Sequence, residues 1–376
     1  MLYRSFTPDE HRVSQLGFGC MRFPVVDGDN SRIDEALTTE MLDYAIDHGV
    51  NYIDTAYPYH GEQSEIFLGE YFRKNGRRDE IFLVSKCPVW KAKEKGDFYR
   101  LLKSQLARLQ TDRLDFYLLH ALDKERWETL LALDAFSDME RALSEGLIGN
   151  LGFSFHDEYS VFEEILSYRD WDFCQIQLNY MDIYHQAGLT GLSTAADRGI
   201  SVVIMEPVKG GKLAYPPNDV RALFSDERTM ASHALRFLFN RPEVSVVLSG
   251  MSTMEQVKDN IATASEATPG CLSSEEAESY RMAKQILDAR TAVGCTACEY
   301  CLPCPAGVEI PKIFKLYNNL YTYGELKNKA SYTKLTAAGT DQSACVACGR
   351  CESICPQQLS IIKDLKRPPG TDGGLA

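Results

Sequence analysis

The chain has 376 residues, enough for one large domain and a small second one, because an α/β barrel alone takes roughly 250 residues. Its net charge of −13 would repel nucleic acid and anionic membrane surfaces, so neither is an expected partner. The opening residues do not resemble a secretory signal, and no apolar run approaches membrane-spanning length. We therefore expect a soluble, cytoplasmic protein.

Short apolar segments alternate with amphipathic segments from about residue 15 to residue 262. Each apolar segment has the length of a strand buried on both faces, and each amphipathic segment predicts a helix. The predicted strands are residues 15–20, 52–54, 81–86, 114–120, 148–154, 173–178, 202–205 and 244–248. The predicted helices are residues 41–47, 66–72, 98–109, 130–144, 161–168, 192–197, 231–239 and 253–262.

This alternation predicts a closed parallel (β/α)8 TIM barrel rather than an open doubly wound sheet. No G-x-G-x-x-G motif follows the first strand, which argues further against a Rossmann domain. Residues 208–228 are predicted to be a long loop at a strand's carboxyl end that can cover a site. A helix at about 273–290 follows. We expect a barrel over residues 1–270, a linking helix over 271–290 and a small domain over 291–376.

Three consecutive predicted strands end in residues that can take part in proton chemistry, namely Asp54, Lys86 and His120. Tyr59 follows the first of them in a turn. Taken singly, each has an ordinary structural interpretation as a turn residue, a solvated lysine or a packed histidine. The carboxyl ends of barrel strands form one rim, however, and this rim is where barrel enzymes carry out their chemistry. Three such residues on one rim favour a functional interpretation.

The segments around these residues resemble the aldo-keto reductase superfamily. The resemblance covers about residues 15 to 265 and is carried by NYIDTAYPY (51–59), VSK (84–86), LDFYLLH (114–120) and GNLGFS (149–154). It implies an oxidoreductase that moves hydride between a nicotinamide cofactor and a small carbonyl or alcohol substrate. It also implies that four of the residues form a catalytic tetrad: Asp54, Tyr59, Lys86 and His120.

The chemistry of carbonyl reduction accounts for these residue types. Hydride addition leaves an alkoxide that needs a proton, and a free phenol of pKa ~10 donates poorly at neutral pH. The Lys86 ammonium is expected to lower the pKa of Tyr59, and Asp54 is expected to hold Lys86 charged. His120 would orient the carbonyl oxygen. Tyr57 is an alternative acid, although a turn aromatic packed on the rim is its simpler interpretation.

The resemblance also implies where the cofactor binds. Ser154 and Gln175 match positions that hold the nicotinamide carboxamide. Met205 falls where an aromatic residue usually stacks on the nicotinamide. Ser249 and Asn260 belong to the region that resembles the adenosine-phosphate site. We expect NADH or NADPH at these residues.

Several positions depart from the family pattern. Phe155 stands where the family usually has Asn, and Gly250 and Gln256 replace basic residues that grip the 2′-phosphate of NADPH. An unpaired phosphate would lose its charge-assisted contacts, so these departures weaken any preference for NADPH. They also leave a flavin as an alternative cofactor. Lys209 and Lys212 could supply positive charge from the 208–228 loop, although solvated loop lysines are the simpler interpretation.

Eight cysteines lie after residue 290 in two runs, and each run is followed by proline. The second run fits the bacterial ferredoxin pattern C-x2-C-x2-C-x3-C-P, and the first is one residue shorter before its fourth cysteine. Zinc ribbons are the alternative, since they also use paired C-x2-C motifs. Two complete runs favour two 4Fe-4S clusters. The cysteines are Cys295, Cys298, Cys301, Cys304, Cys345, Cys348, Cys351 and Cys355.

Crossed ligation, as in two-cluster ferredoxins, would pair three cysteines of one run with the last cysteine of the other. One cluster would then take Cys295, Cys298, Cys301 and Cys355, and the other Cys345, Cys348, Cys351 and Cys304. The leading hypothesis is hydride transfer coupled to electron relay through the clusters to or from a redox-protein partner. Two alternatives stay open: an ordinary reductase with structural clusters in a docking module, and a redox-partner binding protein with a non-catalytic barrel.

Overall fold

The computed structural model describes residues 1–6, 11–295, 300–323, 328–355 and 357–366. The chain forms two compact units. The first comprises Met1–Ala214 and Asp226–Ala277, and the second comprises Tyr215–Ser225 and Glu278–Ala376. Within the described ranges, no helix combines the length and the apolar character needed to cross a membrane.

The strands of the first unit confirm the predicted TIM barrel. β3 to β10 pair in parallel around a closed barrel, in which β10 also pairs with β3. An antiparallel hairpin of β1 and β2 precedes it. The strands are β1 (Tyr3–Phe6), β2 (His11–Ser14), β3 (Leu16–Gly19), β4 (Tyr52–Asp54), β5 (Phe82–Cys87), β6 (Leu114–Leu122), β7 (Ile148–Phe155), β8 (Phe173–Gln177), β9 (Ser201–Met205) and β10 (Val244–Ser249).

Helices follow the barrel strands, and several begin at side chains that cap them. Asp34, Asp123 and Thr253 each accept a hydrogen bond from a backbone N–H of the first turn. The helices are α1 (Glu35–Asp47), α2 (Ser64–Asn75), α3 (Asp97–Leu109), α4 (Lys124–Ala132), α5 (Ala135–Ser144), α6 (Tyr159–Leu166), α7 (Gly188–Asp197), α8 (Asn218–Arg221), α9 (Met230–Phe239), α10 (Met254–Glu266), α11 (Ser274–Ala289), α12 (Ile310–Tyr323), α13 (Asn328–Ala337), α14 (Arg350–Ser353) and α15 (Ile361–Leu365).

Two local expectations were wrong. The single helix expected at 130–144 is two helices, α4 and α5, because Asp134 adopts a left-handed conformation (φ 56°) that breaks the backbone hydrogen-bond ladder. The long loop expected at 208–228 contains a 3-10 segment, Lys209–Ala214, and the short helix α8.

The β1–β2 hairpin closes the amino-terminal end of the barrel. Phe6 packs inside it, with its ring centroid 4.6 Å from that of Phe116 and 5.5 Å from that of Phe173. Phe173 begins β8, so these contacts lie at the end where the strands start. A second, larger apolar layer packs the outside of the barrel against the helices. The carboxyl-terminal end of the strands is therefore the end that carries the candidate site.

Candidate active site

The four predicted tetrad residues lie at the carboxyl ends of three adjacent strands. Asp54 is the last residue of β4, Lys86 lies near the end of β5, and His120 lies near the end of β6. Parallel pairing of β4 with β5, and of β5 with β6, brings these ends to one rim. Tyr59 lies in the turn between β4 and α2. The structure thus brings together residues that are far apart in the sequence.

Lys86 and Asp54 form a buried ion pair. Lys86 Nζ lies 2.6 Å from Asp54 Oδ1 and 2.7 Å from Oδ2, and it also donates to the Thr55 carbonyl at 2.8 Å. The Lys86 side chain is 0% exposed and that of Asp54 is 3% exposed. Burial acts to lower the pKa of Lys86, but the charges of Asp54 and Tyr59 raise it above its ordinary value. Lys86 is therefore a fixed cation within the site.

The Tyr59 hydroxyl faces this cation. Lys86 Nζ lies 3.5 Å from Tyr59 Oη and 5.1 Å from the ring centroid. Burial raises the pKa of Tyr59, and Lys86 lowers it by less, so that the pKa lies above its ordinary value of 10.0. The sequence-based expectation of a lowered pKa is therefore not met in the protein without cofactor. The phenol keeps its proton at neutral pH.

His120 supplies a neutral imidazole. Burial, and then the charge of Lys86, lower the pKa of His120 well below 6.5. Its Nδ1 atom is enclosed and has no hydrogen-bond partner in the described residues. The His120 ring stands edge-on to Tyr59, with centroids 6.3 Å apart, and lies 5.3 Å from the Trp90 ring. The sequence had not singled out Trp90 as a residue beside the tetrad.

The contacts of Tyr57 favour its interpretation as a rim aromatic. Its hydroxyl donates to Glu62 Oε2 at 2.9 Å and accepts from Lys91 Nζ at 2.9 Å. The Arg108 guanidinium also lies 4.7 Å from its ring centroid. Tyr57 thus belongs to a separate polar network, two residues from Tyr59 in the chain.

A backbone irregularity follows His120. The β6–β7 register shifts between Leu119 and Leu122, and Ala121 adopts a left-handed conformation with φ 54°. Such bulges re-aim neighbouring side chains and are frequent beside active sites. Ser154 Oγ accepts a hydrogen bond from Ala121 N at 2.7 Å, and Arg126 Nη1 donates to Ala121 O at 2.7 Å. Two side chains therefore hold the backbone that orients His120.

The predicted carboxamide site has unused hydrogen-bonding capacity. Ser154 Oγ accepts from Ala121, so its O–H can donate elsewhere. Gln175 Nε2 lies 3.5 Å from Met205 Sδ, while Gln175 Oε1 is buried without a partner within the described ranges. An unsatisfied buried carbonyl costs roughly 1–3 kcal/mol. A carboxamide that accepts from Ser154 and donates to Gln175 would satisfy both groups, so these residues fit a nicotinamide.

Side chains of the predicted adenosine-phosphate region contact one another. Asn260 Nδ2 donates to Ser249 Oγ at 2.9 Å, and both side chains are buried. Gln256 Oε1 accepts from Ser252 N at 2.8 Å, and Gln256 N donates to the Thr253 side chain that caps α10. Gln256 therefore serves the helix terminus and brings no positive charge to this region.

The structure also explains the departure at Phe155 and shows the contacts of Lys209. Phe155 is fully buried and packs edge-on against Phe162, with ring centroids 5.2 Å apart, so it belongs to the layer between barrel and helices. Lys209 is not a solvated loop lysine, because its Nζ lies 2.5 Å from both carboxylate oxygens of Asp182. That ion pair neutralises the charge that Lys209 could have offered to a phosphate.

In the second unit, cysteines of both runs surround one cavity. A small hollow is lined by apolar side chains and by Cys301, Cys304, Cys345, Cys348 and Cys351. Cys301 and Cys304 of the first run thus line the same hollow as three cysteines of the second run. Cys295 and Cys355 pack against the same apolar cluster, and Cys298 lies outside the described residues. Across the described parts, no three His, Cys, Asp or Glu side chains are grouped so as to hold a metal ion.

Comparison with known proteins identifies the larger unit. The model of the aldo/keto reductase family matches residues 15–229, more than half of the chain. The chain belongs to the aldo/keto reductase family. The model of the 4Fe-4S dicluster domain matches residues 294–360, a range that contains all eight clustered cysteines. The protein is thus an oxidoreductase of the aldo-keto reductase type with a C-terminal 4Fe-4S domain, and this match supports iron–sulfur clusters over zinc.

Relatives of this aldo-keto reductase include the uncharacterised oxidoreductase YqkF of Bacillus subtilis (27% identical, covering 67% of this chain and 87% of YqkF). The NADH-specific methylglyoxal reductase of Escherichia coli is 25% identical, over 66% of this chain and 89% of that protein. Among solved structures, AKR11C1 from Bacillus halodurans in its holo form is 27% identical, with a TM-score of 0.62, over 75% of this chain and 96% of that chain. A Klebsiella pneumoniae aldo/keto reductase in complex with NADP and acetate is 25% identical, with a TM-score of 0.59, over 75% and 95%.

Proposed function

We propose that this protein reduces a small carbonyl substrate, or oxidises the corresponding alcohol, with NADH or NADPH, and that its two 4Fe-4S clusters exchange electrons with a redox partner. The observation that supports this proposal best is the buried Lys86 cation, held by Asp54 and facing the hydroxyl of Tyr59. Iron–sulfur clusters held by cysteine thiolates suit a reducing compartment such as the cytoplasm, where we propose that the protein works. We also propose that the chain divides into a barrel over residues 1–270, a linking helix over 271–290 and a small 4Fe-4S domain over 291–376.

The tetrad would handle the proton while the bound nicotinamide supplies or takes up the hydride. In the reductive direction the Tyr59 Oη proton passes to the substrate oxygen, and Lys86 stabilises the phenolate that is left behind. His120, neutral and edge-on to Tyr59, would donate a hydrogen bond that aligns the carbonyl oxygen. Asp54 keeps Lys86 in place and charged.

The cofactor would be held by Ser154 and Gln175 at its carboxamide, by Met205 against its nicotinamide ring, and by the Ser249–Asn260 pair near its adenosine phosphate. The names of two similar proteins include NADH or NADP, which supports a nicotinamide cofactor and gives no support to the flavin alternative. Gln256 carries no charge and is engaged at the start of α10. We therefore expect no strong preference for NADPH.

Cofactor use tests the proposed reaction. The full chain, purified anaerobically, is expected to oxidise NADH and NADPH with a panel of aldehydes, at kcat/KM values within about tenfold of each other. A charge-assisted contact to the 2′-phosphate would contribute about 1.5–3 kcal/mol, roughly 10- to 150-fold, and the variant Gln256→Arg should move the ratio toward NADPH. A much larger wild-type preference for NADPH would contradict the interpretation of Gln256. Failure with every aldehyde and both cofactors would overturn the proposed reaction.

We propose that the clusters are ligated in the crossed pattern that two-cluster ferredoxins use, in which Cys304 joins Cys345, Cys348 and Cys351. These four cysteines line one hollow, which Cys301 also borders. If Cys304 and Cys351 bind one cluster, the double variant Cys304→Ser/Cys351→Ser should keep about half of the iron and sulfide. The matched control, Cys301→Ser/Cys351→Ser, takes one ligand from each cluster and should lose nearly all of both. Nearly complete loss of iron and sulfide in both variants, measured by iron and sulfide analysis with EPR, would contradict crossed ligation, because uncrossed ligation places Cys304 and Cys351 in different clusters.

Electron relay also requires that the electron pair of the hydride be split, because a nicotinamide gives two electrons as hydride and a cluster takes one at a time. The same Cys304→Ser/Cys351→Ser protein tests relay. If the clusters take part, NAD(P)H mixed with the wild-type protein in the absence of aldehyde should bleach their absorbance, because the two electrons of one hydride would reduce the two clusters and its proton would be released. Turnover with an external one-electron acceptor should then fall in the variant. Unchanged turnover with no bleaching would favour the alternative of structural clusters beside an ordinary reductase.

A further inference from the structure

Arg126 stands in the first turn of α4, directly after the strand that carries His120. Both hydrogen bonds of its side chain use Nη1, which donates to Ala121 O and to Asp123 Oδ2, each at 2.7 Å. Its Nε and Nη2 have no hydrogen-bond partner in the parts of the chain that the structure describes. The Arg126 side chain is 35% exposed. A guanidinium held along one edge thus keeps its other donors available to a ligand.

Trp90 connects this guanidinium to the tetrad. Arg126 Cζ lies 5.8 Å from the Trp90 ring centroid, and the same ring lies 5.3 Å from that of His120. The exposed fraction of Trp90 is 45%, so the ring is open to solvent. An indole face beside an arginine attracts the cation and also provides an apolar wall. A small molecule at His120 would therefore meet Trp90 and then Arg126.

Two further basic side chains follow the neighbouring strands. His156 comes directly after β7 and His185 follows β8, and with Arg126 they form what we call the basic rim. Burial, then the charges of Lys86, His156 and Arg126, lower the pKa of His120. Burial, then Arg126 and His185, lower the pKa of His156. Burial lowers the pKa of His156 and of His185, so Arg126 supplies the charge of the basic rim.

Two acidic groups near the basic rim, Asp182 and Asp123, already have partners. Asp182 is bound by Lys209 through both carboxylate oxygens. Asp123 accepts from Arg126 N at 2.8 Å as the cap of α4 and from Arg126 Nη1 through its second oxygen. Asp123 therefore offsets part of the Arg126 charge, and an incoming anion would compete with it for that charge.

We propose that the substrate carries an oxyanion, a carboxylate or a phosphate, which binds to Arg126 at the basic rim while the substrate carbonyl lies at Tyr59 and His120. This inference rests on the proposed carbonyl reduction. A planar guanidinium presents pairs of N–H donors that match carboxylate and phosphate oxygens. A neutral substrate of the same length would leave those donors without an acceptor.

Binding measurements test the oxyanion site without turnover. Calorimetry on the full chain would compare butyrate and inorganic phosphate with the neutral analogue butyramide. Arg126→Gln is expected to weaken binding of the preferred anion about 10- to 100-fold more than binding of butyramide, because any shift of the Ala121 backbone would act on both ligands alike. Arg141→Gln is the matched control, since Arg141 pairs with Glu145 on α5 away from the tetrad residues. Equal losses for anion and amide, or no loss, would overturn the proposal.

Asp123→Asn provides a test of opposite sign. Asparagine keeps the oxygen that caps α4 but removes the charge that offsets Arg126, so affinity for the anion should rise several-fold. A damaged fold cannot produce that gain, and unchanged or weaker binding would overturn the proposal. In turnover, succinate semialdehyde or glyceraldehyde 3-phosphate should exceed butanal in kcat/KM, and the better of the two identifies the anion. If no aldehyde is reduced but anion binding depends on Arg126, the proposed reaction fails and the anion site stands.

Discussion

Replacing Tyr59 with phenylalanine is expected to lower the rate of carbonyl reduction by about 10²- to 10⁴-fold, the usual contribution of a positioned general acid. The phenol is the group with a transferable proton that faces both the buried Lys86 cation and the His120 ring. Phenylalanine keeps the ring and its packing but removes the proton donor. Single-turnover mixing with cofactor and aldehyde measures the hydride step directly, and binding of the cofactor should change by less than about twofold.

The chain contains a matched control two residues away. Tyr57→Phe removes a hydroxyl that contacts Glu62 and Lys91 and should leave the hydride step nearly unchanged. If instead Tyr57→Phe abolished reduction and Tyr59→Phe did not, the assignment of the acid would be reversed. Near-wild-type rates in both variants would refute the tetrad altogether.

The pH profile of the wild-type protein adds a second measure of Tyr59. Reduction needs the protonated phenol, and burial raises the pKa of Tyr59 above 10.0. The rate should therefore stay level through neutral pH and fall only as the pH rises through that pKa. A fall that begins near neutral pH would show that the Lys86 charge outweighs burial in the working enzyme, as the sequence alone suggests.

The barrel, and the meeting of Asp54, Lys86 and His120 on one rim, were predictable because they depend on periodicity and topology. Eight short apolar segments alternating with amphipathic ones require parallel pairing, and parallel pairing brings the ends of neighbouring strands together. Asp54, Lys86 and His120 each end such a segment, so their meeting followed from the order of the strands. The cysteine spacing was equally direct, because four thiols within a short loop have few other uses.

The remaining features depend on competing energies and on contacts that cannot be determined from the sequence. The direction of the Tyr59 pKa shift depends on how far burial outweighs the Lys86 charge, and Gln256 could be interpreted only once its bond to Ser252 N was seen. Arg126 escaped notice because its position depends on the bulge at Ala121. A signal was present nonetheless: basic residues follow the ends of β6, β7 and β8, on the rim that carries the predicted tetrad.

Lys86→Met is expected to cost about 3–5 kcal/mol of unfolding free energy, the usual penalty for breaking a buried ion pair. The substitution leaves the Asp54 carboxylate enclosed with no cation beside it, whereas the wild-type pair has both carboxylate oxygens within 2.7 Å of Nζ. Denaturation followed by tryptophan fluorescence suits this test. The three tryptophans, Trp90, Trp127 and Trp171, all lie in the first unit.

The double variant Lys86→Met/Asp54→Asn separates stability from catalysis. Removing both charges should restore most of the lost stability, because replacing a buried ion pair by uncharged groups is often close to neutral. It should not restore carbonyl reduction, because Tyr59 would still lack the cation that stabilises its phenolate. Recovery of activity in the double variant would contradict the role given to Lys86.

The pH dependence of stability tests the charge state of each partner in the Lys86–Asp54 pair. The pKa of Lys86 is raised in the folded protein, so its contribution is fully present below 10.5 and is lost as the pH rises through the folded value. In Lys86→Met, the unpaired Asp54 has a raised folded pKa, because burial already raises it and Lys86 no longer opposes that rise. Its protonation relieves the buried charge, so the stability gap to wild type should narrow as the pH falls. A gap that widened on acidification would mean that Asp54 is not the residue left unpaired.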